Sequence, residues 1–166
     1  MDFEFEHKIP ADSDDVARAL VDESYQKSLA DVTSLADREL LEQKKAPDGT
    51  ISRRVRCVLD IQLNSTVRGF IGDGDPAWIE EATSSPDLRT WEWEVIPEVG
   101  GSLLAAKGRI ELEENSDATI RRVHGSVKVS VPLYGGKVEK IIVSGLERAY
   151  AEEAERLADW VKRENE

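Results

Sequence analysis

The sequence predicts an α+β fold in which a curved antiparallel sheet wraps one long C-terminal helix around an apolar ligand cavity. Three observations predict it. An opening strand-like segment is followed by two short helical ones. Six strand-like segments, mostly joined by tight turns, then run from about residue 32 to residue 131. From Lys137 onward the apolar residues recur at helical spacing to the end of the chain. A helix of that length with one apolar face needs a broad concave surface to cover it, and the preceding sheet is the one candidate.

Residues 2–9 alternate, with Phe3, Phe5, His7 and Ile9 on one face and Asp2, Glu4, Glu6 and Lys8 on the other. A period of two with aromatics reads as a half-buried strand, which Pro10 ends. Asp12-Ser13-Asp14-Asp15 supplies N-cap candidates and acids for the positive end of a helix, whose apolar face is Val16, Ala19 and Leu20. A second short helix is expected over 22–30, through Tyr25 and Leu29.

Segment 33–46 reads as a polar strand, and Pro47-Asp48-Gly49 turns it into the next. There Ile51, Val55, Cys57, Leu59 and Ile61 share a face. Ser84-Ser85-Pro86-Asp87 joins strands 77–83 and 88–96, the latter setting Trp91, Trp93 and Val95 together. Residues 102–113 align Leu104, Ala106, Gly108, Ile110 and Leu112, and residues 118–131 align Val123, Gly125, Val127, Val129 and Val131. An antiparallel meander is the economical arrangement. Residues 63–75, with mixed periodicity and three glycines, read as a helical turn or lid-like loop, a type of segment that is often functional. Pro132 ends the last strand and Gly135-Gly136 is read as a sharp turn. The helix that follows carries Val138, Ile142, Leu146, Ala149, Ala154, Leu157 and Val161, a stripe widened by Ile141, Tyr150 and Trp160.

The totals bound the function. A chain of 166 residues fits one domain spanning 1–166, with an ordinary 40% apolar and 34% charged composition. No apolar run approaches the roughly 20 residues that span a bilayer. The N-terminus lacks the basic start and apolar stretch of a signal peptide, so a cytoplasmic location is expected. A net charge of -12 argues against nucleic acid and anionic lipid surfaces as partners. The single cysteine, Cys57, excludes an intramolecular disulfide.

Strand, two short helices, six strands and a long helix is the order of the helix-grip fold, and the sequence resembles the START-like (SRPBCC) superfamily. That superfamily includes birch-pollen-allergen-like proteins and polyketide cyclases. The likeness is greatest to an uncharacterised branch, a domain of unknown function. Three stretches carry it: Phe3-Glu4-Phe5-Glu6-His7-Lys8-Ile9-Pro10-Ala11 ahead of Val16-Ala17-Arg18-Ala19-Leu20, the strand Trp91-Glu92-Trp93-Glu94-Val95, and, most specific, the passage Val129-Ser130-Val131-Pro132-Leu133-Tyr134-Gly135-Gly136-Lys137-Val138-Glu139-Lys140. The resemblance implies a hydrophobic pocket without choosing its ligand. The wall would draw on Phe5, His7, Val55, Trp78, Trp91, Trp93, Leu104, Val127 and Val129 from the sheet, Phe70 from the gate, and Ile142 and Leu146 from the helix.

His7, sharing a face with Phe5 and Ile9, reads as a base or ligand contact in the pocket or, the favoured reading, as a satisfied core or rim histidine. Arg53 has the parity of Val55 and Cys57, so it either snorkels to the rim or meets an acidic group: a ligand carboxylate or, slightly favoured, an internal Glu or Asp. Trp78, Trp91 and Trp93 serve equally well as cavity wall or plain core. Gly108 and Gly125 read as bends that let the sheet curl.

No metal or cofactor is expected. His124 lies opposite the valine face of its strand, and no Cys or carboxylate spacing completes a site with His7. Asp73-Gly74-Asp75 lacks the other oxygens of a calcium loop, and Gly135-Gly136-Lys137 lacks phosphate-loop spacing. Cys57 reads as inert, and no Gly-x-Ser-x-Gly elbow exists.

Three functions follow as expectations. The first is binding or transport of a lipid-like or polycyclic molecule, gated by 63–75. The second is a cyclase, dehydratase or aromatase, for which His7, Arg53 and, as a weaker proton donor, Tyr150 are the nominees. The third is a protein-interaction module, with no protein partner specified.

Overall fold

Alternation in the first strand decides which way the sheet faces. In β1 (Asp2–Ile9), Phe3, Phe5 and Ile9 are buried while Asp2, Glu4, Glu6 and Lys8 face solvent. The structure, a computed structural model, describes residues 1–166. Helices α1 (Ser13–Leu20) and α2 (Glu23–Ser28) follow, each N-capped by an aspartate, Asp12 and Asp22, whose carboxylate accepts from orphan N–H groups of the first turn. Strands β2 (Leu35–Lys45) and β3 (Ile51–Leu59) come next, then helix α3 (Ser65–Ile71), and then β4 (Ala77–Ser84), β5 (Thr90–Pro97), β6 (Leu104–Asn115) and β7 (Ala118–Val129). The chain ends in α4 (Gly135–Glu164), 30 residues or about 45 Å long.

All seven strands form one antiparallel sheet in the order β1-β7-β6-β5-β4-β3-β2. The expected meander is therefore present, and β1 closes it by pairing with β7. Helices α1 and α2 carry the chain from one edge strand to the other. Helix α4 lies on the concave face and joins two apolar clusters. Its first half, through Val138, Ile142 and Tyr150, packs on Phe3, Phe5, Trp93 and Val127 of the sheet. Its second half, through Ala154, Leu157 and Val161, packs on Val16, Leu20, Tyr25 and Leu29 of α1, α2 and the turn after them.

Two expectations change in detail. Gly135 and Gly136 are the first residues of α4, and the turn before it is made by Pro132, Leu133 and Tyr134, with Leu133 at φ 67°. Gly108 and Gly125 do more than bend the sheet. Phe3, Gly125, Gly108 and Trp93 are register partners in one row across four strands. A Cβ on Gly108 would collide with the Trp93 indole and the His124 carbonyl, and one on Gly125 with the Lys107 carbonyl. The paired glycines form the seat across which Trp93 reaches to stack on Phe3, ring centroids 6.3 Å apart.

The segment between α2 and β2 is held to α4 by one carboxylate. Glu152 accepts from the backbone N–H and hydroxyl of Thr33 at 2.9 Å each and from the N–H and hydroxyl of Ser34 at 3.1 and 2.9 Å. Burial pushes its pKa up, but these donors outweigh burial and hold it at about 2 against a usual 4.5.

The glycine seat and the Glu152 clasp can each be tested through stability. Gly108→Ala and Gly125→Ala each lower stability by about 1–3 kcal/mol through overpacking, whereas Gly69→Ala in α3, where a Cβ meets nothing within 4 Å, is neutral or stabilising by about 0.5–1 kcal/mol; urea denaturation measures all three. A carboxyl depressed by folding contributes stability above its unfolded pKa and loses it as pH falls through its folded pKa. Glu152→Gln is therefore less stable than the wild type at pH 7, and the gap closes as pH falls from about 4.5 to about 2, as thermal unfolding across that range will show.

Candidate functional site

At the seam between the two apolar clusters the concave face turns polar. β3 directs Arg53, Val55 and Cys57 inward, and β4, paired in register with it, directs Trp78 and Glu80 inward. β2 contributes Arg38, β7 contributes Arg121, and α4 contributes Leu146, Ala149, Tyr150 and Glu153. These side chains enclose a cavity of about 70 Å³. A second cavity, about 40 Å³ and almost wholly apolar, lies beneath α3 and is lined by Leu63, Ile71, Leu104, Val129, Val138 and Ile142 among others. Trp78 is the one residue that lines both chambers.

The expected wall residues divide among these places. Val55, Trp78, Trp91 and Leu146, with Arg53 and Tyr150, line the charged chamber. Leu104, Val129 and Ile142 join Trp78 in the apolar one. Phe5, Trp93 and Val127 are core: Trp93 stacks against Phe3, and Val127 is fully buried. Phe70 is 48% exposed and lines neither chamber, because the buried residue of α3 is Val67. His7 also lines neither. It is half-buried directly opposite Arg121 in the β1–β7 ladder, with Nδ1 3.5 Å from Arg121 Nη2. Burial, then the Arg121 charge, lowers its pKa, so its imidazole is neutral at pH 7.

Arg121 is the most deeply buried charge, 1% exposed. It donates to Glu153 Oε1 at 3.1 Å and to the Tyr150 carbonyl at 2.7 Å, and its guanidinium lies 5.4 Å from the Tyr150 ring centroid. Arg53 meets no acidic group at contact distance, contrary to the slightly favoured expectation. It donates through Nη1 to the Leu20 carbonyl at 2.6 Å and to Gln43 Oε1 at 3.4 Å, and it stacks 4.3 Å over Trp91. Burial, then the neighbouring Arg38 charge, pulls its pKa down to about 10, so it stays a cation at neutral pH. Arg38 donates to the carbonyl and to Oε1 of Gln26, at 2.8 and 2.7 Å.

The acids and neutral groups lean the other way. Burial pushes the Glu80 carboxyl up, against the pull of Arg38 and Arg53. Burial, then Glu80 and Glu153, raises the Tyr150 phenol well above its usual value. Burial likewise pushes the Cys57 thiol up to about 12, which leaves it a protonated, unreactive wall residue.

Sequence reasoning missed Glu80, Arg121, Glu153, Arg38 and Gln26. Three were within reach. Glu80 shares parity with Trp78, Arg121 shares parity with Val123, and Glu153 follows Leu146 by seven residues and Tyr150 by three on one helix face. Arg38 was hidden, because β2 shifts register between Leu35 and Asp37 and again between Leu40 and Glu42, which breaks simple alternation. Gln26 sits on a six-residue helix too short to show a face.

Known proteins share both the sequence pattern and the fold. Residues 4–161 match the family described as "Protein of unknown function (DUF2505)". The chain belongs to that family. No curated protein matches it. Among solved structures, TTHA0849 from Thermus thermophilus is 16% identical with a TM-score of 0.70, covering 100% of both chains. The Zhui aromatase/cyclase from Streptomyces sp. R1128 is 12% identical with a TM-score of 0.66, covering 100% of this chain and 96% of the other. A START superfamily protein from Mycobacterium smegmatis is 17% identical with a TM-score of 0.58, covering 96% of this chain and 98% of the other. This DUF2505 chain has the START-like helix-grip fold. None of its helices is long and apolar enough to cross a membrane.

The ion pair at the seam gives a stability test. Arg121→Met leaves Glu153 without its partner, and Glu153→Gln leaves Arg121 as an uncompensated buried cation; each costs about 3 kcal/mol. The double variant Arg121→Met/Glu153→Met, which removes both charges, should be more stable than either single variant in urea denaturation.

Proposed function

We propose that this protein binds a small amphipathic molecule between the sheet and α4. The apolar part would occupy the chamber of Leu104, Val129 and Ile142, and the polar end would lie among Arg53, Glu80 and Tyr150. The observation that carries this reading is that one residue, Trp78, lines both an apolar chamber and a charged one. A pocket with an apolar body and a few convergent polar groups is the usual form of a small-molecule site.

Neither chamber, at about 70 and 40 Å³, reaches the roughly 150 Å³ of an apolar cavity that takes benzene, so entry requires the wall to move. The part suited to move is the cover of the apolar chamber. Helix α3 is short and leads into Gly72 at φ 102°, and its end is held to the loop between β5 and β6 by a hydrogen bond from Gly100 N–H to the Ile71 carbonyl at 3.0 Å. The gating role expected of 63–75 fits this position.

A second reading, a cyclase-type enzyme, is favoured by one observation. Glu80 and Tyr150 face the same cavity, and burial pushes the Glu80 carboxyl up, the direction that suits a proton donor. A solved protein of this fold is an aromatase/cyclase. In that reading Arg53 and Tyr150 keep their nominated places, whereas His7 lines neither chamber.

Calorimetric titration with octan-1-ol tests the binding reading. Saturable one-to-one binding is expected. Leu104→Trp, which fills the apolar chamber, should abolish binding while far-ultraviolet circular dichroism stays unchanged. Absence of saturable binding would refute the reading.

A further inference from the structure

The two arginines at the β2–β3 edge of the charged chamber are provided for differently from most others in the chain. The chain has 34 acidic residues against 22 basic ones, and Arg54, Arg56, Arg89, Arg109, Arg122 and Arg156 each have a carboxylate within 4.0 Å. Arg121, deep in the interior, is paired with Glu153. Arg38 and Arg53 line the same cavity and have no such partner; every acceptor they use is a neutral oxygen. Guanidinium groups drawn into a protein without a contacting carboxylate are costly, and here two of them line one cavity.

Their supports are rigid. Gln26, 2% exposed, accepts from Arg38 through Oε1 and donates through Nε2 to the Leu20 carbonyl at 2.8 Å. Gln43 accepts from Arg53 and donates to the Val21 carbonyl at 2.7 Å. Both amides are thus anchored on carbonyls at the C-terminal end of α1, and the Leu20 carbonyl also accepts directly from Arg53. Arg53 donates only through Nη1, so its Nε–H and the whole of Nη2 have no protein acceptor. That free edge of a planar fork matches a carboxylate. Glu80, the carboxylate of β4 on the same cavity, makes no ion pair or hydrogen bond with either arginine.

We propose that the polar end of the ligand is a carboxylate, received by Arg38 and Arg53 and oriented by the free edge of Arg53. The proposal rests on the amphipathic-ligand reading above and adds the charge of the head group. With Glu80 in the same chamber, two arginines suit a monoanion better than a phosphate dianion.

Three probes with one eight-carbon chain separate the claims: octanoate, octanamide and octan-1-ol, titrated into the full chain by calorimetry at pH 7. Octanoate should bind at least about tenfold more tightly than the two neutral probes. Arg53→Gln should reduce that preference to within about twofold, and Arg53→Lys should retain part of it. Arg38→Gln provides the same test if Arg53→Gln does not fold, as judged by thermal unfolding. Equal binding of all three probes would overturn the carboxylate assignment and leave the amphipathic reading standing. A preference for octanoate that survives both glutamine variants would overturn the assignment to these arginines. Failure of all three probes to bind would remove both proposals.

Discussion

Arg121 fixes the interior of this protein. Its guanidinium joins the sheet to α4 twice, through the Glu153 carboxylate and the Tyr150 carbonyl, and it does so where apolar packing alone would leave the helix free to slide. Hydrophobic contact is non-directional, so it presses a helix onto a sheet without choosing a register. A buried, charge-assisted pair chooses one. The rest of the seam follows from that choice: Leu146, Ala149 and Tyr150 are brought over β3 and β4, the two apolar clusters stay separate, and the charged chamber lies between them.

The distribution of charge is the second theme. A chain of net charge -12 carries its surplus acid on the surface and gathers three arginines inside. Such an exterior slows the approach of anions, while the interior favours them once they are desolvated beside Arg38 and Arg53. A site built this way discriminates by what happens inside it more than by capture rate. The apolar chamber that Trp78 also lines adds the demand that the anion carry an oily part.

How much of this was legible in the sequence depended on how regular each element is. β1 and β5 alternate cleanly, as do 51–57 of β3 and 123–129 of β7, so Phe5, Val55, Trp91 and Val129 were placed inward correctly, and the same alternation carried Arg53 in with them. The helical stripe from Val138 to Val161 was equally clear, because a 30-residue amphipathic pattern outlasts local noise. What alternation could not supply was the division of inward residues between core and cavity. Trp93 and Trp78 look alike in sequence, yet Trp93 fills the space over two glycines on neighbouring strands, a long-range pairing that no local pattern reports. The partner of Arg53 was misjudged for a similar reason. Its acceptors are neutral oxygens, the Leu20 carbonyl at the end of α1 and the Gln43 side chain of β2, and no parity rule points to either. Phe70 was misplaced because α3 is too short to show which of its faces is buried.

Native-state amide hydrogen exchange across α4 tests the central claim, that the buried Arg121 pair makes helix and sheet one cooperative unit. The account predicts that amides of Ile142 to Leu157 exchange with the same free energy and urea dependence as those of Val123 to Val129, through global unfolding. Exchange of the helix amides at a clearly lower free energy, with the β7 amides still protected, would contradict it.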